Sequence, residues 1–229
     1  RILVYELGED NSFPDYMADY VIGQPDFSET AANRGSTSPA ANSLRAPSAI
    51  AIEPGTGRVY VADAGNNRVL VFNSVSQTDP DAVNVIGAGS FTAGNPMGSV
   101  SENRMYSPSG IAFSGEGSSL RVYISDRDFN RVLVFNEITS NNQSAQNVLG
   151  QGGFYSSGAS LSQSGLASPV GLTVDEEGHL YVADSGNNRI MIWESEINID
   201  NQSATKVLGQ TWFYSNNSIS FYQQFHLTT

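Results

Sequence analysis

The sequence predicts an all-β protein assembled from repeated four-stranded antiparallel units, and three recurring phrases carry that reading. The first is Val59–Phe72, VYVADAGNNRVLVF, which returns as Val122–Phe135 (VYISDRDFNRVLVF) and Leu180–Trp193 (LYVADSGNNRIMIW). The second is Ala-x-x-Val-[Ile/Leu]-Gly-[Gln/Ala], at Ala18–Gln24, Ala82–Ala88, Ala145–Gln151 and Ala204–Gln210, followed by Phe27, Phe91, Phe154 and Phe213. The third opens each unit: Pro47-Ser-Ala-Ile-Ala-Ile, Pro108-Ser-Gly-Ile-Ala-Phe and Pro169-Val-Gly-Leu-Thr-Val.

The Pro phrase supplies strand a. The first phrase is two runs of β-branched and aromatic residues joined by a polar tetrapeptide carrying Asn, which makes strands b and c around a tight turn. The Val-Ile/Leu-Gly phrase supplies strand d. From each Pro to the end of strand d the units run 47–88, 108–151 and 169–210. A period of roughly 40–45 residues is that of a propeller blade, and solenoid β-helix repeats are much shorter. The chain opens on RILVY, the second half of the hairpin phrase. Residues 1–24 therefore give strands c and d of a further blade, and 211–229 form a lead-in to another. Strands b and c are apolar on both faces, as in Val69-Leu70-Val71-Phe72. A sheet with one wet face alternates instead, so the pattern fits blades sandwiched between blades.

These repeats resemble the NHL family of β-propellers, in a bacterial-type variant with Gly-Gln-x-x-Phe. The resemblance rests on Ala-Asp-Ala-Gly-Asn-Asn-Arg-Val (62–69), Ala-Asp-Ser-Gly-Asn-Asn-Arg-Ile (183–190) and the Gly-Gln pairs at 23–24, 150–151 and 209–210. The middle blade departs from it at Arg127-Asp128-Phe129. The resemblance implies a ring of six or seven blades, of which this chain holds three full blades and part of another. An open half-ring leaves two apolar blade faces exposed. The expectation is a longer protein, or completion of the ring by a second copy or another chain.

Composition narrows the partners. The formal charge is −12 and Lys206 is the only lysine. Nucleic-acid binding rests on neutralising phosphates with basic side chains, so nucleic acids and anionic membranes are excluded as expected partners. No cysteine is present, which removes disulfides, thiol nucleophiles and thiolate metal sites. No apolar run approaches the roughly 20 residues of a membrane helix. With its Asn, Ser and Gly content, the chain reads as extracellular or surface-exposed.

Consecutive antiparallel strands put the b–c turns and the long d-to-a loops (25–46, 89–107 and 152–168) on one rim, and loops of that length are often functional. The candidate ligand set on this rim is Asp63, Asn66, Asn67, Asp126, Asp128, Asn130, Asp184, Asn187 and Asn188. Asx residues also recur wherever a repeated turn needs local bonds and left-handed backbone, which is the competing structural reading. Asp126 and Asp128 are the weak candidates for a calcium site, being hard oxygen donors close in sequence. Otherwise no cofactor is expected. Arg1, Arg68, Arg131 and Arg189 follow each turn and are expected to pair with an Asp or with backbone carbonyls between blades, as a rigid guanidinium fork suits. Asn142, Asn201 and Asn216 head Asn-x-Ser sequons, the first two in c–d loops on the opposite rim. The aromatics that begin the long loops are expected to pack the loop base onto the blade.

Catalysis within these blades is disfavoured. The strand-a openings at Pro47-Ser48, Pro108-Ser109 and Pro169-Val170 bring no carboxylate or amide to the channel mouth, where propeller lactonases and phosphotriesterases similar in architecture place calcium ligands. Only His179 and His226 are present, too few for a histidine metal site of the amidating-lyase kind, and His179 reads as an exposed turn residue. No nucleophile elbow accompanies them. The expected function is a non-catalytic binding or assembly module that recognises a protein or glycan, or a further copy of itself. Two alternatives stay open: a calcium-dependent hydrolase, lactonase or lyase with catalytic blades outside this chain, and a structural subunit of a surface layer or filament.

Overall fold

A computed structural model describes residues 1–93 and 99–216. They form three four-stranded antiparallel sheets and one two-stranded sheet. The short sheet pairs β1 (Ile2–Val4) with β2 (Tyr20–Ile22). The first full blade runs β3 (Pro47–Ile52), β4 (Val59–Asp63), β5 (Arg68–Phe72) and β6 (Asn84–Ile86), hydrogen-bonded in that order. The second repeats it with β7 (Pro108–Ser114), β8 (Arg121–Asp126), β9 (Arg131–Asn136) and β10 (Asn147–Leu149). The third comprises β11 (Pro169–Val174), β12 (Leu180–Asp184), β13 (Arg189–Trp193) and β14 (Lys206–Leu208). The architecture is that of β-propeller blades, as the repeat period requires.

Every residue of β4 and β5 is buried. Adjacent blades interdigitate into apolar cores. Tyr60 of β4, for example, meets Phe113 of β7 edge-on at a centroid separation of 5.0 Å. Serines stitch the inner strands together: Ser48 Oγ donates to Pro108 O at 2.7 Å and Ser109 Oγ to Pro169 O at 3.0 Å. At the outer edge, strand d is only three residues long and its exposed backbone needs a partner. The c–d loop of the next blade supplies it. Asp79, Asn142 and Asn201, all left-handed, donate their backbone N–H to Val21 O, Val85 O and Val148 O at 2.9, 2.7 and 2.8 Å. Asn141 Oδ1 and Asp200 Oδ1 accept the returning N–H of Val85 and Val148, each at 3.0 Å.

The long d-to-a loops do not stay on one rim. They run along the outer edge and meet the c–d loops, with the N–H groups of Ala82, Ala145 and Ala204 donating to Ala41 O, Glu102 O and Gln163 O. The two sets of loops expected on opposite rims are thus in contact. Each long loop also drives one apolar side chain (Leu44, Met105 or Leu166) against the glycine that ends strand d. At Gly150 the φ is +88° and a Cβ would lie 2.8 Å from both Asn130 O and Leu166 Cδ1. Gly150→Ala combines backbone strain with overpacking and is expected to cost about 2 kcal/mol, read as a lowered Tm in calorimetry with the far-ultraviolet spectrum retained.

Candidate functional site

The turn between strands b and c is built the same way in each full blade. One 3₁₀ turn, Ala64–Asn66, Arg127–Phe129 or Ser185–Asn187, ends on a left-handed Asn: Asn67, Asn130 or Asn188, with φ between 52° and 55°. Asn pays little for that conformation, which explains its place at every copy. These residues also reach onward. Asn67 Oδ1 accepts Ser107 N–H at 2.9 Å and Asn130 Oδ1 accepts Ser168 N–H at 2.8 Å, which fixes the loop that enters the next blade.

Behind each turn lies a buried ion pair. Arg68 Nε donates to Asp63 Oδ2 at 2.8 Å, Arg131 Nε to Asp126 Oδ2 at 2.9 Å and Arg189 Nε to Asp184 Oδ2 at 2.7 Å, with no solvent on either side chain. The remaining guanidinium donors take backbone carbonyls from two loops. In the first blade these are Phe91 O in the loop leaving, and Ala40 O and Ser43 O in the loop arriving. Arg131 holds Phe154 O, Ser101 O and Arg104 O, and Arg189 holds Phe213 O, Ser162 O and Gly165 O. One arginine per blade therefore clamps both long loops to the b–c turn. In the short sheet, Arg1 makes the Phe27 O bond of that set.

This geometry corrects the candidate ligand set. Asp63, Asp126 and Asp184 are fully buried and Asn66 and Asn187 nearly so, with their polar atoms turned inward. Asp63 receives Arg45 N–H and Asn66 Nδ2 besides its arginine, and Asp184 receives Ala167 N–H and Asn187 Nδ2. These five residues hold the blade and cannot meet a ligand without opening it. Asn67, Asp128 and Asn130 are half-buried and Asn188 is exposed. The calcium candidates do not converge either. Asp126 is committed to Arg131 and to Tyr106 N–H at 2.6 Å, whereas Asp128 lies outside, paired with Arg127 at 2.9 Å.

The middle blade differs in one electrostatic respect. Phe129 occupies the position of Asn66 and Asn187, so Asp126 lacks their amide bond; the ring lies under the Arg131 guanidinium at 5.2 Å instead. Burial outweighs Arg131 and pushes the Asp126 carboxyl up to about 6. Asp63 is raised as well, for the same reason and against the pull of Arg68.

Asn142 is half-buried, and its side-chain amide lies 3.0 Å from Asn103 O and 3.2 Å from Ala88 O. Asn201 is half-buried in the equivalent latch. For the third sequon, Asn216 is described while Asn217 and Ser218 lie outside the described residues, as does His226. His179 is also less exposed than expected: its Nδ1 lies 2.9 Å from Asp175 Oδ2 in the β11–β12 turn. Asp175, Glu177 and His179 bring ligand atoms within 4.8 Å of one another, a cluster the sequence reading did not single out. Asp175 already accepts His179 N–H and Tyr181 Oη, as Glu53 accepts Tyr60 Oη in the first blade, so the trio is organised as a turn staple.

What the rim does offer is aromatic. Phe91, Phe154 and Phe213 pack on the cores beneath the loops. Tyr155, Trp212 and Tyr214 point outward and are 69–75% exposed, and Phe27 is half-exposed, contrary to the packing role expected of the whole series.

Buried arginine clamps, left-handed Asx turns and stacked four-stranded sheets define a β-propeller-type repeat protein. The NHL repeat family model matches residues 44–72 and 166–193. No curated protein matches it. Similar solved structures include an auxiliary nutrient binding protein from Bacteroides thetaiotaomicron, at 19% identity over 62% of this chain and 35% of that one, with a TM-score of 0.46. Hydrazine synthase from Kuenenia stuttgartiensis shares 13% identity over 76% of this chain and 38% of its own, with a TM-score of 0.48. Virginiamycin B lyase from Staphylococcus aureus shares 16% over 66% and 38%, with a TM-score of 0.38. The chain thus spans well under half the length of each. Among the described residues no helix is long and apolar enough to cross a membrane.

Proposed function

We propose that this chain is a non-catalytic recognition module of an extracellular protein, which binds a protein or glycan through the rim of its long loops. The observation that carries this is the division of labour within those loops. Buried arginines fix their bases, so Tyr155, Trp212 and Tyr214 are displayed from rigid supports. An aromatic ring held open to solvent offers large contact area at small entropic cost, which suits sugar faces and peptide side chains alike. The acidic, lysine-poor surface supports contacts of this neutral kind, and the lack of cysteine and scarcity of lysine fit a surface setting.

The test is an array of neutral oligosaccharides and displayed peptides probed with the intact chain. Tyr155→Ala combined with Tyr214→Ala is expected to weaken binding at least about tenfold while leaving Tm in place. Binding is expected to survive 1 M salt, where charge-driven contacts are screened on a scale of about 3 Å. Loss of binding in salt, or indifference to both substitutions, would refute the reading.

A further inference from the structure

Charge is segregated between the two ends of the blades. The a–b turns and c–d loops of the three complete blades leave the sheets at the same end. Together they carry eleven aspartates and glutamates against one arginine, Arg58. The b–c turns at the other end carry only the Arg127–Asp128 pair.

Within the acidic end lies a hollow of about 290 Å³. Its walls come from all three complete blades: Pro54 of the first, Phe113 and Glu116 of the second, and Val174, Asp175 and Glu176 of the third. No residue that lines it is basic. Glu116 reaches across from the second blade to the first, since its Oε2 lies 3.8 Å from where a Cβ on Gly55 would stand. The acidic residues of the neighbouring turns have cations beside them. Glu53 has Arg58 at 3.6 Å, and Asp175 has the His179 ring at 2.9 Å. Glu116 and Glu176 differ, for among the described residues no salt bridge holds either one. Arg121, which begins β8 close to Glu116 in sequence, pairs with Glu196 at 3.1 Å instead.

We infer that this hollow is a docking site for one lysine or arginine side chain from a basic segment of a partner protein. Ligand sites run from roughly 300 to 1,000 Å³, so a space at the small end of that range suits a single long side chain. Its apolar stem lies along Phe113 and Val174, and its charged head meets Glu116 and Glu176. The surrounding acidic turns attract further cations of the same segment and steer its approach. A second copy of this chain is not the partner, because the chain has one lysine, Lys206, and no two adjacent arginines. The site lies beyond the recognition proposed for the rim aromatics and does not rest on it.

The experiment titrates the 229-residue chain into fluorescein-labelled octalysine and octaarginine, with octaserine as the neutral control, and reads anisotropy. Saturable binding of a basic peptide is expected at low salt and is lost in 1 M salt, where screening acts over about 3 Å. Glu116→Gln combined with Glu176→Gln is expected to weaken it about tenfold. Glu29→Gln combined with Glu137→Gln removes the same charge from exposed positions elsewhere, and is expected to change it less than about twofold. Tyr155→Ala combined with Tyr214→Ala is expected to leave it unchanged, so a failure at the rim and a failure at the hollow are read separately. Absence of saturable binding overturns the inference. Equal weakening by the two glutamate pairs does so too, since it would reduce the effect to general acidity. Spermidine binding as tightly as the peptides would give the hollow to a small amine and overturn the choice of a protein partner.

Discussion

Arg131→Met is expected to lower the unfolding free energy by roughly 3–5 kcal/mol, a fall in Tm of about 6–20 °C for a chain of this size. The substitution keeps an apolar stem in the blade but leaves Asp126 buried without its counter-ion. It also strands Phe154 O, Ser101 O and Arg104 O, which lose their donors as two long loops come free together. Adding Asp126→Asn is expected to restore only part of the loss. Neutralising the carboxylate removes the buried charge, but nothing replaces the donors to the three carbonyls. Calorimetry of the two single variants and the double variant gives the partition through a thermodynamic cycle. Full recovery in the double variant would mean that the loops hold without the clamp. The single variant is expected to recover some stability below neutral pH, where the orphaned carboxyl takes up a proton.

Much of this arrangement was legible because the chain repeats itself. Strand order and the buried hairpins follow from apolar runs read several times over. The arginine after each turn was visible as a candidate clamp for the same reason. What it grips was less so: Phe91 O and Ala40 O are backbone atoms more than 20 residues away, and a carbonyl leaves no mark in a sequence. The Asx residues misled in a specific way. Asp63 and Asn188 look alike as turn residues, yet one is sealed in the blade and the other faces solvent, since Asp63 ends strand b against Arg68 while Asn188 closes the turn beyond it. The aromatics divide by the same geometry. Phe154 lies under the loop and Tyr155 beside it points out, so one recurring motif holds both an anchor and a displayed ring.

Stability is expected to rise as pH falls from 7 toward 4, and Asp126 is expected to contribute on the order of 2 kcal/mol of that rise. Burial lifts its pKa from 3.8 to about 6 in the folded chain, while the unfolded chain keeps the ordinary value. Between those two values the folded state holds a proton that the unfolded state has released. The group's contribution is therefore fully present below the unfolded pKa and is lost as pH rises through the folded one. The cause is local. Among the described residues, Arg131 and Tyr106 N–H favour its ionised form, Asp128 nearby opposes ionisation, and Phe129 stands where the other blades place an amide donor. Phe129→Asn rebuilds the arrangement seen at Asp63 and Asp184, where Asn66 and Asn187 donate at 2.7 and 2.8 Å. It is expected to lower the Asp126 pKa and flatten the pH dependence between 4 and 6. Chemical denaturation across that window, for the parent chain and the Phe129→Asn variant, measures both slopes. Parallel slopes would place the pH dependence in the general acidity of the surface, since a chain carrying −12 also gains from losing charge as the pH drops. A selectively flattened variant would place it at the one turn where the repeat departs from its own pattern.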